Sequence, residues 1–224
     1  MSVDNTSSNR ASEYDAGVRV VLPYYDSIND EIIHFVRAYD PAPRAWLDTG
    51  CGTGFLATKI LESFAPLRLV LADPSAEMLR VAKEKTASHR VEFHNCDTSS
   101  LPFDGGSFDV ITAVQSHHYM NAEGRAGATK RCFDMLREGG LFIATENTRP
   151  PDAETTGIVR EYWKQYQIRS GKTPGQAEKH MNRFDTEYFP ITVEEHLRLY
   201  AETGFRVRDV FWKSYMQAAF YCVK

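Results

Sequence analysis

Short, unbroken apolar runs alternate with helical patterns through the middle of this chain, and that alternation restricts its fold more than any other feature. The apolar runs cover 45–47, 69–72, 91–93, 110–114 and 141–144, and the helical patterns cover 55–64, 76–85 and 125–136. Strands that read as continuous apolar runs lie in sheets that helices cover on both faces. The pattern therefore predicts an α/β protein with a doubly wound, mostly parallel sheet.

Further elements are predicted on either side of this region. Apolar residues at helical spacing predict an N-terminal helix over 24–39. Near the other end, Thr192 and Glu195 form a capping-box pattern for a last helix. Strand-like runs at 205–211 and 215–223 follow that helix with no helix between them. We therefore expect a C-terminal antiparallel hairpin at one end of the sheet.

The length of 224 residues suits one domain, which we place at residues 13–224. Residues 1–12 are rich in Ser and Asn and predict a disordered tail. Residues 147–190 interrupt the alternation with a predicted helix over 154–168 and a Gly/Pro-rich loop over 170–176. An insertion of this size after a late strand is commonly a lid or another substrate-facing element.

The composition argues against several classes of protein. With 30 acidic and 26 basic residues the formal net charge is -4, which disfavours nucleic acid as the main partner because no overall positive field attracts it. The four cysteines form no CxxC pair, so neither a zinc site nor a disulfide framework is indicated. We find no apolar stretch typical of a signal peptide or a membrane span, and we expect a cytoplasmic protein without a membrane partner.

A glycine loop stands between the first buried strand and the helix that follows it. Missing side chains at Gly50, Gly52 and Gly54 let the backbone approach a ligand, and the helix N-terminus offers N–H donors. The dinucleotide fingerprint GxGxxG would need a glycine where this chain has Phe55. Asp48 precedes the loop, and its carboxylate suits a cationic ligand head better than a pyrophosphate.

Two more acids, Asp73 and Asp97, follow the second and third predicted strands. The carboxyl ends of parallel strands meet at the crevice where open α/β sheets bind ligands, and an acid after the second strand can accept hydrogen bonds from ribose hydroxyls. Each acid alone is most simply a turn or cap residue. Their conjunction with the glycine loop predicts a nucleoside site.

Five segments of the chain resemble the class I S-adenosylmethionine-dependent methyltransferases, a Rossmann-like family. They are Leu47-Asp-Thr-Gly-Cys-Gly-Thr-Gly54, Leu71-Ala-Asp-Pro-Ser-Ala-Glu-Met78, Cys96-Asp97, Ser107-Phe-Asp-Val-Ile111 and Leu136-Arg-Glu-Gly-Gly-Leu-Phe142. The resemblance implies S-adenosylmethionine as cofactor and S-adenosylhomocysteine as product. It says little about the methyl acceptor.

The resemblance also implies a set of cofactor-binding residues. They are Tyr25, Asp48, Gly50, Gly52, Gly54, Asp73, Met78, Asp97 and Gln115. In the family pattern Asp48 and the loop backbone hold the methionine portion, and Asp73 binds the ribose hydroxyls. Met78 packs on the adenine, Asp97 binds its amino group, and Gln115 lines the wall near the methyl group.

Aromatic and basic side chains from two segments are expected beside this site. Tyr25, with Arg19 and Tyr24, would cover the cofactor from the N-terminal helix, although both tyrosines are explained equally well as core aromatics. The insertion carries a second such set, which suits a planar or anionic acceptor. Its members are Tyr162, Trp163, Tyr166, His180 and Arg183. The simpler interpretation of this second set is a small core within the insertion.

His117 and His118 follow the fourth predicted strand and are the candidate catalytic residues. Methyl transfer from a sulfonium is an in-line displacement, so a base is needed only where the acceptor carries a proton of high pKa. Histidine suits that task because its pKa lies near neutrality, and we place His117 ahead of His118. The alternative is a histidine that only forms the pocket wall. The histidines of the chain have no metal-ligand spacing, and no metal is predicted.

The leading functional prediction is methyl transfer to a small molecule by a monomer or homodimer. A second possibility is modification of the cofactor itself, since the tail from Glu194 to Lys224 is similar to that of carboxy-S-adenosylmethionine synthases. A third is a cofactor-binding subunit without turnover, favoured if Tyr24, His117 and the insertion fill the space that faces the methyl group.

Overall fold

The computed structural model describes residues 14–65 and 67–224 and has a central seven-stranded sheet. The strands are β1 (Ala45–Thr49), β2 (Arg68–Ala72), β3 (Val91–His94), β4 (Phe108–Val114), β5 (Leu136–Asn147), β6 (Val207–Ser214) and β7 (Gln217–Val223). The helices are α1 (Tyr14–Val21), α2 (Tyr25–Tyr39), α3 (Phe55–Ser63), α4 (Ala76–Lys85), α5 (Ala122–Met135), α6 (Ala153–Arg169), α7 (Pro174–Met181) and α8 (Val193–Thr203). The tail predicted at 1–12 lies outside the described residues.

The strand order is β3-β2-β1-β4-β5-β7-β6. Strands β1 to β5 pair in parallel, and β7 pairs antiparallel with both β5 and β6. The predicted Rossmann-like sheet and its C-terminal hairpin are therefore confirmed. From β1 the chain adds β2 and β3 on one side and then crosses to β4 on the other side of β1. A crevice therefore opens between the carboxyl ends of β1 and β4.

Buried side chains cover both faces of the sheet, which explains the continuous apolar runs. Trp46 and Val110 point to the face covered by α2, α3 and α4, whereas Leu47 and Ile111 point to the face covered by α5 and α8. Successive residues of a strand point to opposite faces. All four side chains are fully buried, so the two layers together hold the strand ends in fixed positions.

A third apolar cluster joins the N-terminal helix α1 to the insertion. Val18 and Val21 of α1 pack in it with Trp163 of α6 and Met181 of α7. The indole N–H of Trp163 donates to the carbonyl of Val21 at 2.7 Å, and the hydroxyl of Tyr166 donates to that of Arg19 at 2.9 Å. The insertion therefore packs on α1 rather than standing away from the domain.

Two helices differ from the sequence-based expectation. Helix α1 was not predicted, because its short apolar stripe gains stability from the third cluster and not from local sequence signals. The loop predicted over 170–176 is shorter than expected, since Pro174 begins α7. Thr173 caps this helix with a capping box to Gln176, and Pro174 occupies the first turn, where its missing N–H costs nothing.

Candidate active site

The glycine loop links the end of β1 to the start of α3, and its glycines meet different surroundings. A Cβ on Gly50 would lie 2.4 Å from the Cβ of Ser116, so only glycine fits beside that residue. Gly54, with φ +74, begins α3 and packs closely against Ala82 of α4. A Cβ on Gly52 would meet no atom within 4 Å, and this open side of the loop is where a ligand can approach the backbone.

Asp48 lies at the end of β1 and is almost completely buried, at 1% exposure. Its Oδ1 accepts a hydrogen bond of 2.7 Å from the hydroxyl of Thr112 on β4. Burial raises the pKa of Asp48 to about 7; the Thr112 hydrogen bond opposes that rise, and the charge of Asp73 adds to it. A cationic group bound beside Asp48 would favour its ionised form, because attraction to a positive charge lowers a carboxyl pKa.

Asp73 and Asp97 occupy the ends of the next two strands, as predicted. The carboxylate of Asp73 accepts hydrogen bonds of 2.8 Å from the N–H groups of Gly52 and Ser75, so it ties the glycine loop to the start of α4. Asp97 is more exposed and accepts bonds from the Ser100 N–H at 3.1 Å and the Ser99 hydroxyl at 2.5 Å. The Ser99 hydroxyl holds the pKa of Asp97 below its usual value.

A cleft at the crevice between β1 and β4 brings several predicted residues together. It holds about 370 Å³ of empty space. Its lining includes Tyr25, Asp48, Gly50, Gly52 and Gln115, all predicted from the sequence, together with Tyr14 and Asn29, which were not. Gly54, Asp73, Met78 and Asp97 were predicted too but are not among the described residues that line it; Met78 is buried in the first turn of α4.

A second cavity adjoins the cleft and holds about 430 Å³ of empty space. Helix α1 contributes Tyr14 and Val18 to its wall. The segment that follows β4 contributes Gln115 and His118, and the insertion contributes Trp163, His180, Arg183 and Tyr188. Tyr14 and Gln115 line both spaces. The cleft and the cavity therefore meet at these two side chains. Tyr24, at 58% exposure, does not fill this space.

The two candidate histidines lie in a short 3-10 helix, His117–Tyr119, and point in different directions. His117 stacks on Phe142, with its Nε2 3.5 Å from the hydroxyl of Thr98, and burial lowers its pKa. It is not among the described residues that line either space. His118 lines the second cavity. The geometry thus favours His118, the residue that the sequence ranked second.

Glu146, near the end of β5, is the partner of His118. Its Oε2 lies 3.1 Å from Nδ1 of His118, and both side chains are buried. Burial alone would raise the pKa of Glu146, but the hydrogen bond and the charge of His118 hold it below the usual value. An ionised carboxylate only accepts, so this contact requires the proton on Nδ1, and in the neutral ring Nε2 is then the nitrogen that can accept a proton. The Asn147 N–H, 3.4 Å from Nδ1, is the weaker contact.

A polar cluster fastens α1 over the glycine loop. Asp15 accepts hydrogen bonds from the Thr53 hydroxyl at 2.6 Å and from the Lys85 ammonium, which also lies 3.0 Å from the Thr53 hydroxyl. Sequence reasoning missed Tyr14 and Asp15 because nothing local marks them. It also missed Glu146, although an acid at the end of an apolar run is the same signal that identified Asp73.

Comparisons with known proteins agree with this geometry. A family model described as a methyltransferase domain matches residues 47–140. The carboxy-S-adenosyl-L-methionine synthase of Campylobacter lari is 23% identical over 92% of this chain and 88% of its own length. The demethylmenaquinone methyltransferase of Staphylococcus aureus is 30% identical over 169 residues, which are 73% of this chain and 69% of that protein. The chain belongs to the class I S-adenosylmethionine-dependent methyltransferases.

The fold agrees with this membership. The structure of a SAM-dependent methyltransferase from Thermotoga maritima superposes with a TM-score of 0.64 at 17% identity and covers 95% of both chains. The methyltransferase described here is thus an enzyme of this class, with S-adenosylmethionine as its cofactor. Its cleft fits that group: Gly52 leaves the loop backbone open, Asp48 offers a carboxylate to a cationic head, and the buried Oδ1 of Asn29 in the cleft wall has no hydrogen-bond partner among the described residues.

The described part of the methyltransferase comprises residues 14–65 and 67–224. Within these ranges, no group of three or more His, Cys, Asp and Glu side chains is arranged to hold a metal ion. Over the same ranges, none of the helices has the length and apolar character needed to cross a membrane.

Proposed function

We propose that this methyltransferase transfers a methyl group to a small-molecule acceptor bound in the second cavity. The observation that carries this proposal is the junction of cleft and cavity at Tyr14 and Gln115. S-adenosylmethionine supplies a methyl group on a sulfonium, which a nucleophile takes by in-line displacement. Placing two reactants in line can lower the barrier by about 7–11 kcal/mol, and two adjoining spaces with a shared wall suit that arrangement.

The cofactor would be held by the nine residues that the resemblance implies, each in the place where the fold puts it. Asp48, Gly50, Gly52 and the ring of Tyr25 would surround the methionine portion in the cleft. Gly54 lets α3 begin close to α4, and Asp73 would offer its carboxylate to the ribose hydroxyls. Met78 and Asp97 would contact the adenine beyond the cleft, and Gln115 would lie near the methyl group.

His118 would act as the base where the acceptor must lose a proton. Its Nε2 can accept that proton because Glu146 holds the proton of the ring on Nδ1. His117 remains a predicted catalytic residue, but its contacts with Phe142 and Thr98 suit a supporting role better. The insertion would serve as a lid, since its side chains Trp163, His180, Arg183 and Tyr188 form part of the cavity wall.

The test is transfer of labelled methyl from S-adenosylmethionine by the purified chain to a library of metabolites, with RNA and protein mixtures as comparison acceptors. We expect label in a small molecule, and no transfer by Asp48→Asn. Label found only in RNA or protein would contradict the small-molecule assignment. An absence of S-adenosylhomocysteine binding by calorimetry would contradict the site itself.

A second candidate function is synthesis of a carboxylated cofactor. Its support is the similarity to the Campylobacter lari carboxy-S-adenosyl-L-methionine synthase, which extends over 92% of this chain. Mass spectrometry of the nucleoside that copurifies with the protein separates the two functions. A carboxylated cofactor would favour this second candidate, whereas S-adenosylmethionine or S-adenosylhomocysteine would favour methyl transfer.

A further inference from the structure

A buried arginine from the insertion lies in the wall of the second cavity. Arg183 follows α7, and only 8% of its surface is exposed. Its guanidinium donates a hydrogen bond to the hydroxyl of Tyr188, a neighbour in the same wall. Tyr14 and Tyr119 also line the cavity. One permanent cation and several phenol hydroxyls thus face the space next to the cofactor cleft.

The carboxylate already paired with Arg183 lies towards solvent. Glu187 accepts from Nε and Nη2 of Arg183 at 2.7 and 2.6 Å, and its side chain is 51% exposed. An ion pair with so exposed a partner is weak. No Asp or Glu is found among the described residues that line the cavity. A bound anion would therefore meet no carboxylate among these described residues, and it would compete with Glu187 for Arg183.

Burial and the charge of Arg183 both act on two neighbouring basic groups. Burial, with the charges of Lys172 and Arg183, lowers the pKa of His180 to about 3. The pKa of Lys172 is lowered as well, by burial and by the charge of Arg183. Both shifts have the sign expected where added positive charge is disfavoured. Burial is the larger cause of both shifts, and the positive charge of Arg183 contributes to each.

Four apolar side chains line another part of the cavity wall. Val18, Val21 and Leu22 line it on the side of α1, and the fully buried Trp163 lines it from α6. The wall thus combines an apolar surface with one cationic group, the usual composition of a site for a small organic anion.

We propose that the acceptor is a small organic acid with a flat apolar body, whose carboxylate binds Arg183. The body of the acid lies against Val18, Val21 and Leu22, and its methyl-accepting atom points to the junction at Tyr14 and Gln115. Carboxylate and guanidinium match in geometry as well as in charge. This inference rests on the proposed function and adds the chemical class of the acceptor.

The test uses benzoate and its neutral isostere benzamide as probes, titrated into the full chain saturated with S-adenosylhomocysteine and followed by calorimetry. We expect benzoate to bind at least tenfold more tightly than benzamide, and Arg183→Gln to abolish that preference. Arg160→Gln is the matched control, because Arg160 lies on the same insertion but is not among the described lining residues. It should keep the preference.

Glu187→Gln provides a second test, because its expected result is tighter binding, which a variant that fails to fold cannot show. Removing the competing carboxylate should tighten benzoate binding several-fold and leave benzamide unchanged, and this result decides the case if Arg183→Gln does not fold. Equal binding of the two probes, binding of neither, or a preference that survives in Arg183→Gln would overturn the inference. The proposed function fails separately, through lack of S-adenosylhomocysteine binding or of methyl transfer to any small molecule.

Discussion

The hydroxyl of Thr112 donates a hydrogen bond to Oδ1 of Asp48 at 2.7 Å and accepts one from the indole N–H of Trp46 at 3.0 Å. All three side chains are buried, and they connect β1 to β4 at the crevice. The hydroxyl thereby positions the carboxylate on which cofactor binding depends in this account. It also satisfies an indole N–H that would otherwise be buried without a partner.

Thr112→Val should therefore destabilise the protein by about 1–3 kcal/mol, because it leaves two buried polar groups unpaired. Denaturation in urea measures the free energy of unfolding. Thr129→Val is the matched control: Thr129 is equally buried, but within residues 14–65 and 67–224 its hydroxyl has no hydrogen-bond partner. That control should be close to neutral. Equal losses in the two variants would show that the Thr112 contacts contribute nothing specific.

The affinity for S-adenosylhomocysteine should rise with pH through neutrality. The pKa of Asp48 is about 7 in the free protein, so at pH 6 most of the carboxyl is protonated and cannot attract a cationic head. Binding must then release a proton, and the affinity should increase roughly tenfold between pH 6 and pH 8. Calorimetry in buffers of different ionisation enthalpy measures both quantities. Asp48→Asn should bind weakly and without this pH dependence; a flat profile in the natural protein would refute the role of Asp48.

Alanine substitutions at Gly50 and Gly52 should have different effects, the first mainly on the free energy of unfolding and the second mainly on cofactor binding. Both residues have positive φ, at +66 and +53, so each substitution costs about 1–2 kcal/mol of backbone strain. Gly50→Ala adds a clash with Ser116 and should lower the free energy of unfolding well beyond that amount. Gly52→Ala meets open space and should mainly weaken cofactor binding. Binding of S-adenosylhomocysteine by Gly52→Ala as tight as in the natural protein would show that the ligand does not approach the loop backbone at Gly52.

The pair His118 and Glu146 should be energetically coupled. His118→Asn leaves an ionised carboxylate buried without its partner, a change that typically costs 3–5 kcal/mol, whereas Glu146→Gln removes that charge and should cost less. Unfolding of the two single variants and the double variant should give a coupling of about 1–3 kcal/mol. Additive losses would mean that the contact is incidental.

The lowered pKa of Glu146 also predicts an acid limb, that is, a fall in the free energy of unfolding at acid pH. Its pKa is lower in the folded state than in the unfolded chain, so its contribution is complete above the ordinary carboxyl pKa and is lost as the pH falls through the folded value. Urea denaturation between pH 3 and pH 7 should show this limb in the natural protein. The limb should be smaller in Glu146→Gln, and an unchanged limb would assign it to other carboxylates.

Lys85 should slow the release of the cofactor product. With Asp15 and Thr53 it fastens α1, and Tyr14 on α1 lines both the cleft and the cavity. Lys85→Met should speed dissociation of S-adenosylhomocysteine about threefold or more, the effect expected from losing a partly buried ion pair. Stopped-flow displacement measures the rate. Lys83→Met is the control. Lys83 also lies on α4, where it packs beside Phe93 of β3, and its replacement should leave the dissociation rate unchanged.

The sheet and the glycine loop could be predicted from the sequence because each depends on local pattern. Apolar runs mark strands covered on both faces, and the order of loop, Asp73 and Asp97 marks their carboxyl ends. The direction of His117 and His118 could not be predicted, since adjacent residues in a 3-10 turn point apart in ways that only tertiary packing decides. Helix α1 is missing from the prediction for the same reason.

The contacts of the insertion could not be predicted from the sequence either. Its aromatic and basic residues could be identified from the sequence, but not their distribution between a core and a cavity wall. Trp163 and Arg183 belong to the wall, whereas Tyr162 stacks on Tyr215 at the surface, with ring centroids 4.2 Å apart. Because these contacts join residues far apart in the chain, spacing alone cannot assign them.

A crystal structure of the protein with S-adenosylmethionine tests the central claim most directly. We predict the methionine portion in the cleft beside Asp48 and Gly52, with the sulfonium methyl at the junction of Tyr14 and Gln115, directed into the cavity that His118 lines. An empty cleft, or a methyl group directed away from that cavity, would contradict the account.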